Sequence, residues 1–344
     1  MSRIRVGVLF AVVAAIAFGV TAPIIAWAGK GIGPLTTAAL LYAGAALAAA
    51  AFQLAHRSGD RVRRSDAPRL VAIAIAGAAI GPTLLAWGLQ RAGATIGALL
   101  LNLEAVFTIA LARVVYREPI GRRIVVAAVC MVAGGAALAL DASRGGGFGV
   151  LGAVAVAGAT LAWAFDNTWT RPLAERDPWQ VILIKATLGA ALTASVALLR
   201  GEPLPSATAA LVLLACGATG YGASLRFYLL AQRRIGAART GSVFALAPFV
   251  GAAVALIVAE HLPGAWTWVA AMLFAIGVYL HITERHAHRH VHASLEHEHP
   301  HRHDDGHHMH THSPAVQGEH SHLHAHEPIE HDHEHGTDVH HGHH

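Results

Sequence analysis

The sequence predicts an all-α integral membrane protein: ten transmembrane helices arranged as two inverted five-helix repeats, followed by a disordered histidine-rich tail. Three observations carry this reading. Of 344 residues, 54% are hydrophobic and 13% charged, with a mean hydropathy of +0.47, whereas soluble domains carry about a quarter charged residues. The apolar residues fall in runs of membrane-spanning length. Finally, 24 of the 26 histidines lie from His281 to His344, where the apolar runs end.

A helix crossing a hydrocarbon core of about 30 Å needs about 20 apolar residues, and the runs here are far too long for barrel strands. Taken in order, the spans fall at 7–28, 35–55, 69–89, 94–114, 123–140, 148–169, 179–199, 207–229, 241–259 and 264–283, punctuated by Gly, Pro and charged clusters. The first follows Arg3 and Arg5 but is longer than a signal-peptide h-region, so it is expected to remain as a span. Three units follow: residues 1–141 as the first repeat, 142–283 as the second, and 284–344 as the tail.

Residues 1–280 hold 22 Lys/Arg against 10 Asp/Glu, and 281–344 hold 3 against 11. The basic residues sit in short loops rather than on a folded patch, so the pI near 9.4 gives no support to nucleic-acid binding. With the N-terminus inside, the inner segments collect sixteen Lys/Arg and the outer loops only Lys30, Arg91, Arg144 and Arg200. Positive charge is retained on the cytoplasmic side, so both termini are expected there. Cys130 and Cys216 lie inside apolar runs and are read as packing residues.

The halves resemble each other. Placing Gly93 on Gly236 pairs Leu103 with Leu246 and Ala105 with Pro248, and brings Glu118 within one residue of Glu260. The offset equals five spans, and an odd number of spans per repeat makes the halves enter the membrane in opposite directions, the plan of many secondary transporters. Pro23, Pro82 and Pro248 interrupt spans, where freed carbonyls line a cavity or a harmless kink results.

An ionisable or strongly polar residue inside a span is costly and marks a functional candidate. Asn102 and Glu104 lie near the centre of the fourth span, Asp166 and Asn167 about one turn from the inner end of the sixth, and Lys185 about two turns into the seventh. Glu104 has no opposite charge within a turn of its own span, so it faces a cavity, pairs across helices or carries a proton. The first and third of these suit proton coupling; the second is a plain interhelical hydrogen bond. Asp166 and Lys185 lie at similar depth and are expected to pair, as an inner gate or a static staple. Tyr221 and Ser224 are further candidates for the cavity wall, and Arg226 is read as snorkelling to the inner surface.

The tail has no apolar run and cannot bury a core. Its H-x-H spacing, with His286, His288, His290, His292, His297, His299, His301 and His303 as the first members, offers many overlapping weak sites for divalent metals such as Zn, Ni or Co rather than one closed site. No span carries the His or Cys cluster that a metal pathway would want.

Several strings resemble the EamA family of the drug/metabolite transporter superfamily: A-F-G-V-T-A-P-I-I-A at 17–26, G-A-L-L-L-N-L-E-A-V-F at 97–107, Y-R-E-P at 116–119, A-W-A-F-D-N at 162–167 and A-R-T-G-S-V-F-A-L-A-P-F at 238–249. The stretch L-H-I-T-E-R-H-A-H-R-H-V-H at 280–292 is similar to a bacterial subgroup with histidine-rich cytoplasmic tails. The resemblance implies ten spans in two five-helix repeats and secondary transport, often export, of small organic solutes, with the bacterial inner membrane as location. In the second half Ala247 takes the place of Glu104, so the carboxylate is not duplicated. No G-x-x-x-x-G-K-[ST] is present, which points to a gradient as the energy source. The expectation is a non-enzyme that needs no cofactor, whose partners are a small-molecule solute, the lipid bilayer and divalent metal at the tail. The alternative is a Zn/Ni/Co efflux transporter with a metal-loading tail.

Overall fold

The computed structural model describes residues 3–55, 61–117, 120–144, 147–173, 176–235, 237–258 and 263–283, and the backbone of 286–291, 295–301, 320–326 and 330–335. Glu118, Gly236, Glu260, His292 and His303 lie outside the described residues. Ten helical stretches are long and apolar enough to cross a membrane: span 1 Ile4–Ala28, span 2 Pro34–Gln53, span 3 Arg64–Ala92, span 4 Ala94–Tyr116, span 5 Arg122–Ser143, span 6 Gly147–Leu173, span 7 Pro178–Leu199, span 8 Ala207–Gln232, span 9 Arg239–Val258 and span 10 Ala265–Ile282. Each coincides with one apolar run of the sequence. The largest shift is at the start of span 3, where a 3-10 turn, Arg64–Asp66, adds residues because the Asp66 carboxylate accepts from the Arg63 N–H at 2.8 Å.

Length and hydropathy make these segments helices, but five of them are not regular. Span 1 divides into Arg3–Gly19 and Thr21–Ala28, span 4 into Ala94–Leu100 and Leu103–Tyr116, and span 9 into Ala237–Phe244 and Ala247–Val258. Spans 3 and 8 carry π-helical turns, Ala74–Ile80 and Gly217–Ala223, which stand 143 residues apart. That offset is the one that aligns Gly93 with Gly236, and it brings the breaks of spans 4 and 9 within one residue of each other. The irregularities therefore follow the repeat. Proline explains several: Pro23, Pro82 and Pro248 each lie just after an irregular segment, where a missing N–H leaves a carbonyl of the preceding turn unbonded.

The halves interleave. Span 2 packs along span 7 and span 5 along span 10, while span 3 lies on span 6 and span 1 on span 8. Two of these pairs carry ties at their ends, one of them through the start of span 3. On the face where the chain starts, Arg176 pairs with Asp66 at 2.9 Å and the Val62 N–H donates to Gln180 Oε1 at 2.9 Å. At the opposite face, the Glu202 carboxylate accepts from the Thr36 N–H and hydroxyl, both at 2.8 Å, and from the Leu35 N–H at 3.3 Å, so it caps span 2 from the other half. Spans 5 and 10 are joined there by Asp141, whose Oδ2 accepts from the backbone and hydroxyl of Thr267. At their other end Arg123 donates to the Thr283 carbonyl at 3.4 Å. These pairs form two posts between which the irregular spans lie.

An acceptor lost from a helix N-terminus costs about 1 kcal/mol. Glu202→Ala is therefore expected to destabilise the folded protein by about that amount, and Glu202→Gln by less, as a lowered midpoint of thermal unfolding in detergent.

Residues Arg285–His344 form a separate unit. Its described backbone holds two antiparallel ribbons, His286–Val291 with Glu330–His335 and Leu295–His301 with His320–His326, where the sequence predicts a disordered segment. The H-x-H alternation supplies the two-residue period of a strand.

Candidate functional site

The irregular segments meet near the middle of the body, and the polar candidates gather around them. The turn at Leu101–Asn102 is closed by short-range bonds, Leu101 N–H to the Ala98 carbonyl at 3.3 Å and Asn102 N–H to the Leu99 carbonyl at 3.1 Å. Asn102 turns its amide to the same turn, with Nδ2 donating to the Leu99 carbonyl at 2.9 Å, and is buried. It holds the break. Glu104 then stands in the first turn of Leu103–Tyr116, where the helix N-terminus favours a negative group. Its Oε1 accepts from Asn167 Nδ2 of span 6 at 2.7 Å. Lower on the same two spans, the Tyr116 hydroxyl donates to the Thr168 carbonyl at 2.6 Å.

Next to that amide along the chain, Asp166 is 3% exposed and its Oδ2 takes a short contact from Lys185 Nζ of span 7, while Oδ1 accepts from the Thr170 hydroxyl at 3.2 Å. The pairing expected from their depth is present. The carboxylate lies against Gly77 in the π turn of span 3: a Cβ there would stand 2.1 Å from Oδ2. Gly77→Ala is thus expected to displace the ion pair and to lower the thermal midpoint, by about 1–3 kcal/mol of folding free energy as for other overpacked sites.

Gly77 matters for a second reason. In a π turn the carbonyl of residue 77 would accept from residue 82, which is a proline and has no N–H. The freed carbonyl instead accepts from the Tyr42 hydroxyl of span 2 at 2.6 Å and from the Trp163 indole N–H of span 6 at 2.9 Å. Sequence reasoning passed over all three residues. The signal that marks the spot is the G-A-A-I-G-P run at 77–82, a glycine five residues before a proline inside a span.

Tyr221 lies in the π turn of span 8 and gathers aromatic rings from both halves: Phe18 at 5.8 Å, Tyr42 at 5.6 Å and Trp163 at 6.4 Å between centroids. Its buried hydroxyl has Thr21 as a polar neighbour, with no group at hydrogen-bond geometry among the described residues. Ser224 points elsewhere, donating to the Ala14 carbonyl at 2.9 Å and tying span 8 to span 1. Arg226 rests its guanidinium 4.7 Å from the Phe52 ring centre, toward the face where the chain starts. Of the seven polar candidates, Glu104, Asp166, Asn167 and Lys185 form one cluster, Tyr221 belongs to the aromatic wall beside it, and Asn102 and Ser224 are turned to backbone carbonyls. A cavity of about 190 Å³ lies apart from them, between spans 4, 9 and 10, with Leu99, Phe249, Leu256 and Trp268 among its walls.

Ten spans in two halves, breaks repeated at one offset and a polar cluster at their meeting point are the features that comparison with known proteins can weigh. The profile of the EamA-like transporter family matches residues 5–140 and again 150–283. The chain belongs to the EamA-like transporter family. It is thus a membrane transporter of the drug/metabolite superfamily and not an enzyme. A protein of Methanothermobacter thermautotrophicus, described as an uncharacterized transporter, is 26% identical over 243 residues, covering 65% of this chain and 68% of its own length. One crystal structure aligns with 81% of this chain and 96% of its own at a TM-score of 0.60 and 20% identity, a likeness of fold alone.

Proposed function

We propose that the protein is a secondary transporter that exports a small organic solute by alternating access, with Glu104, Asp166, Asn167, Lys185 and Tyr221 around the solute. The observation that carries this reading is the cluster itself: an ionisable carboxylate held by one amide, beside a buried ion pair, between halves whose spans are irregular at that depth. Intramembrane charges are costly and persist where they serve a pathway. Irregular backbone at that depth is tolerated where it lines a cavity or is buried in protein. The bias of Lys and Arg supports placing both termini in the cytoplasm, and the resemblance of the tail to bacterial histidine-rich tails supports the inner membrane.

For the tail we propose weak binding of divalent metals by its repeated H-x-H pairs, as a buffer or sensor distinct from transport. Metal efflux has less support. Among the described residues no group of three His, Cys, Asp or Glu is placed to hold a metal ion.

The test is thermal unfolding of the full chain in detergent against amines, amino acids, nucleosides and divalent metals. A ligand at a hundred times its dissociation constant adds about 2.7 kcal/mol to the folded state. Stabilisation by an organic solute, followed by its uptake into inside-out vesicles, supports the reading. Stabilisation by metal alone, persisting after the tail is removed beyond Glu284, overturns it.

A further inference from the structure

The two ribbons of the tail share a register that their composition does not require. In the first, His286, His288 and His290 stand directly opposite His335, His333 and His331. In the second, His297, His299 and His301 stand opposite His324, His322 and His320. All histidines of the strands, His326 opposite Leu295 included, thus fall at alternate register positions, and those of one ribbon share one face. Every acidic residue of the strands falls at the positions between, Asp332 opposite Arg289 among them.

Two strands alone do not account for this arrangement. A two-stranded ribbon is marginally stable at best in water and needs further strands or an apolar face to pack; here each sheet has two strands, and histidine occupies the face that apolar residues would fill. A slip of one residue in the first ribbon would set His286, His288 and His290 against Glu334, Asp332 and Glu330, a better match between the strands themselves. The observed register instead sets histidine against histidine, and two such residues stabilise each other only through something that both bind. Two successive facing pairs mark a rectangle of about 5 Å across the strands and about 7 Å along them. Its four histidines match the ligand number and donor type that Zn(II) or Co(II) takes.

Resting on the reading above that the tail binds metal, we propose that each ribbon is a metal site that pairs on loading, with one divalent ion of the Zn(II) class held by two successive facing histidine pairs. Of the three pairs in a ribbon the central one, His288 with His333 or His299 with His322, belongs to either choice of two. The ion is what holds the strands together. The tail then carries two sites that stand above its weak background, and binding at them is coupled to folding, so loading converts a polar chain into paired ribbons and the tail reports metal by a change of structure.

The experiment follows backbone hydrogen exchange of the tail in the full chain in detergent, first stripped of metal with a chelator and then titrated with zinc. Two zinc ions per chain are expected to bind more tightly than the rest, and exchange in 286–291, 295–301, 320–326 and 330–335 to slow by about tenfold or more as they load. His288→Asn is expected to remove the protection of 286–291 and 330–335 together and to leave 295–301 and 320–326 protected, and His299→Asn to do the reverse. Replacing His307, His308, His310 and His312, which lie between the strands in sequence, is expected to leave both ribbons protected. Protection already present in the metal-free chain, zinc bound without protection, or an equal loss in both ribbons from either substitution overturns the paired sites and leaves weak metal binding by the tail standing. Zinc uptake no greater than that of a chain ended at Glu284 overturns both.

Discussion

Replacing Lys185 by Met is expected to destabilise the protein by about 3–5 kcal/mol, the largest effect of any single substitution in the body, and adding Asp166→Asn is expected to restore most of that loss. The reason is the asymmetry of buried ion pairs. Removing one partner leaves a bare charge in a medium that cannot solvate it, whereas removing both leaves a neutral site. Among the described residues Asp166 would retain the Thr170 hydroxyl as its one hydrogen-bond partner and would press its charge against the Gly77 turn. Asp166→Asn alone strands the ammonium of Lys185, whose side chain is 20% exposed and has some access to water, so its cost should be the smaller. Thermal or denaturant unfolding of the two single variants and the double variant measures the coupling. Additive losses would mean that the pair contributes no mutual stabilisation, and its role as a staple between spans 6 and 7 would then be lost.

Much of this architecture is legible in the sequence because it is set by composition. Twenty apolar residues in a row have one stable conformation in a bilayer, so the ten spans follow from hydropathy, and the repeat follows from matching Gly93 to Gly236. The Asp166–Lys185 pair is legible for the same reason, since two opposite charges at one depth on neighbouring spans have little alternative to each other. What is not legible is backbone register. Asn102 reads as a cavity polar group, yet its amide bonds to its own turn, giving the Leu99 carbonyl a second donor beside the Asn102 backbone N–H. The carbonyl of Gly77 becomes an acceptor only because its turn is π-helical and Pro82 falls five residues on, a coincidence of register that hydropathy does not report. Trp163 and Tyr42 were hidden with it. The tail is the converse: polar composition argues against a core, but the period-two histidine pattern is compatible with the strand pairing described.

The state of the gates can be predicted from the same repeat. On the side opposite the chain start, the break of span 1, the second piece of span 9 and the first piece of span 4 meet through small residues: a Cβ on Gly251 would stand 2.5 Å from the carbonyl of Gly19, the last residue before that break, and 3.3 Å from Ala98 Cβ. Pro23 is four residues beyond Gly19 and leaves that carbonyl unbonded within its helix, which permits the approach. The offset of 143 maps Ala98 to Gly241 and Gly251 to Thr108, which lie on the first piece of span 9 and the second piece of span 4. There the contact is absent. Those two pieces pack on different neighbours, spans 1 and 8 for the former and spans 5 and 6 for the latter, and nothing described lies within 4 Å of a Cβ on Gly241. One seam is closed and its symmetry mate is apart, the asymmetry expected of one state if the proposed alternating access holds.

In a background with Cys130 and Cys216 replaced by Ala, Ala98→Cys with Gly251→Cys is therefore expected to form a disulfide, since the Cβ separation is close to the usual 3.5–4.5 Å, with a small shift of the Gly19 backbone to admit the new Cβ. The pair Thr108→Cys with Gly241→Cys should cross-link only as molecules visit the other state, and more slowly. In the variant carrying all four cysteines the two bridges should exclude each other, so that mass spectrometry of unreduced peptides finds one or the other in each molecule. Molecules holding both bridges would show that the seams close together, and rocking of the two posts about a central site would have to be abandoned.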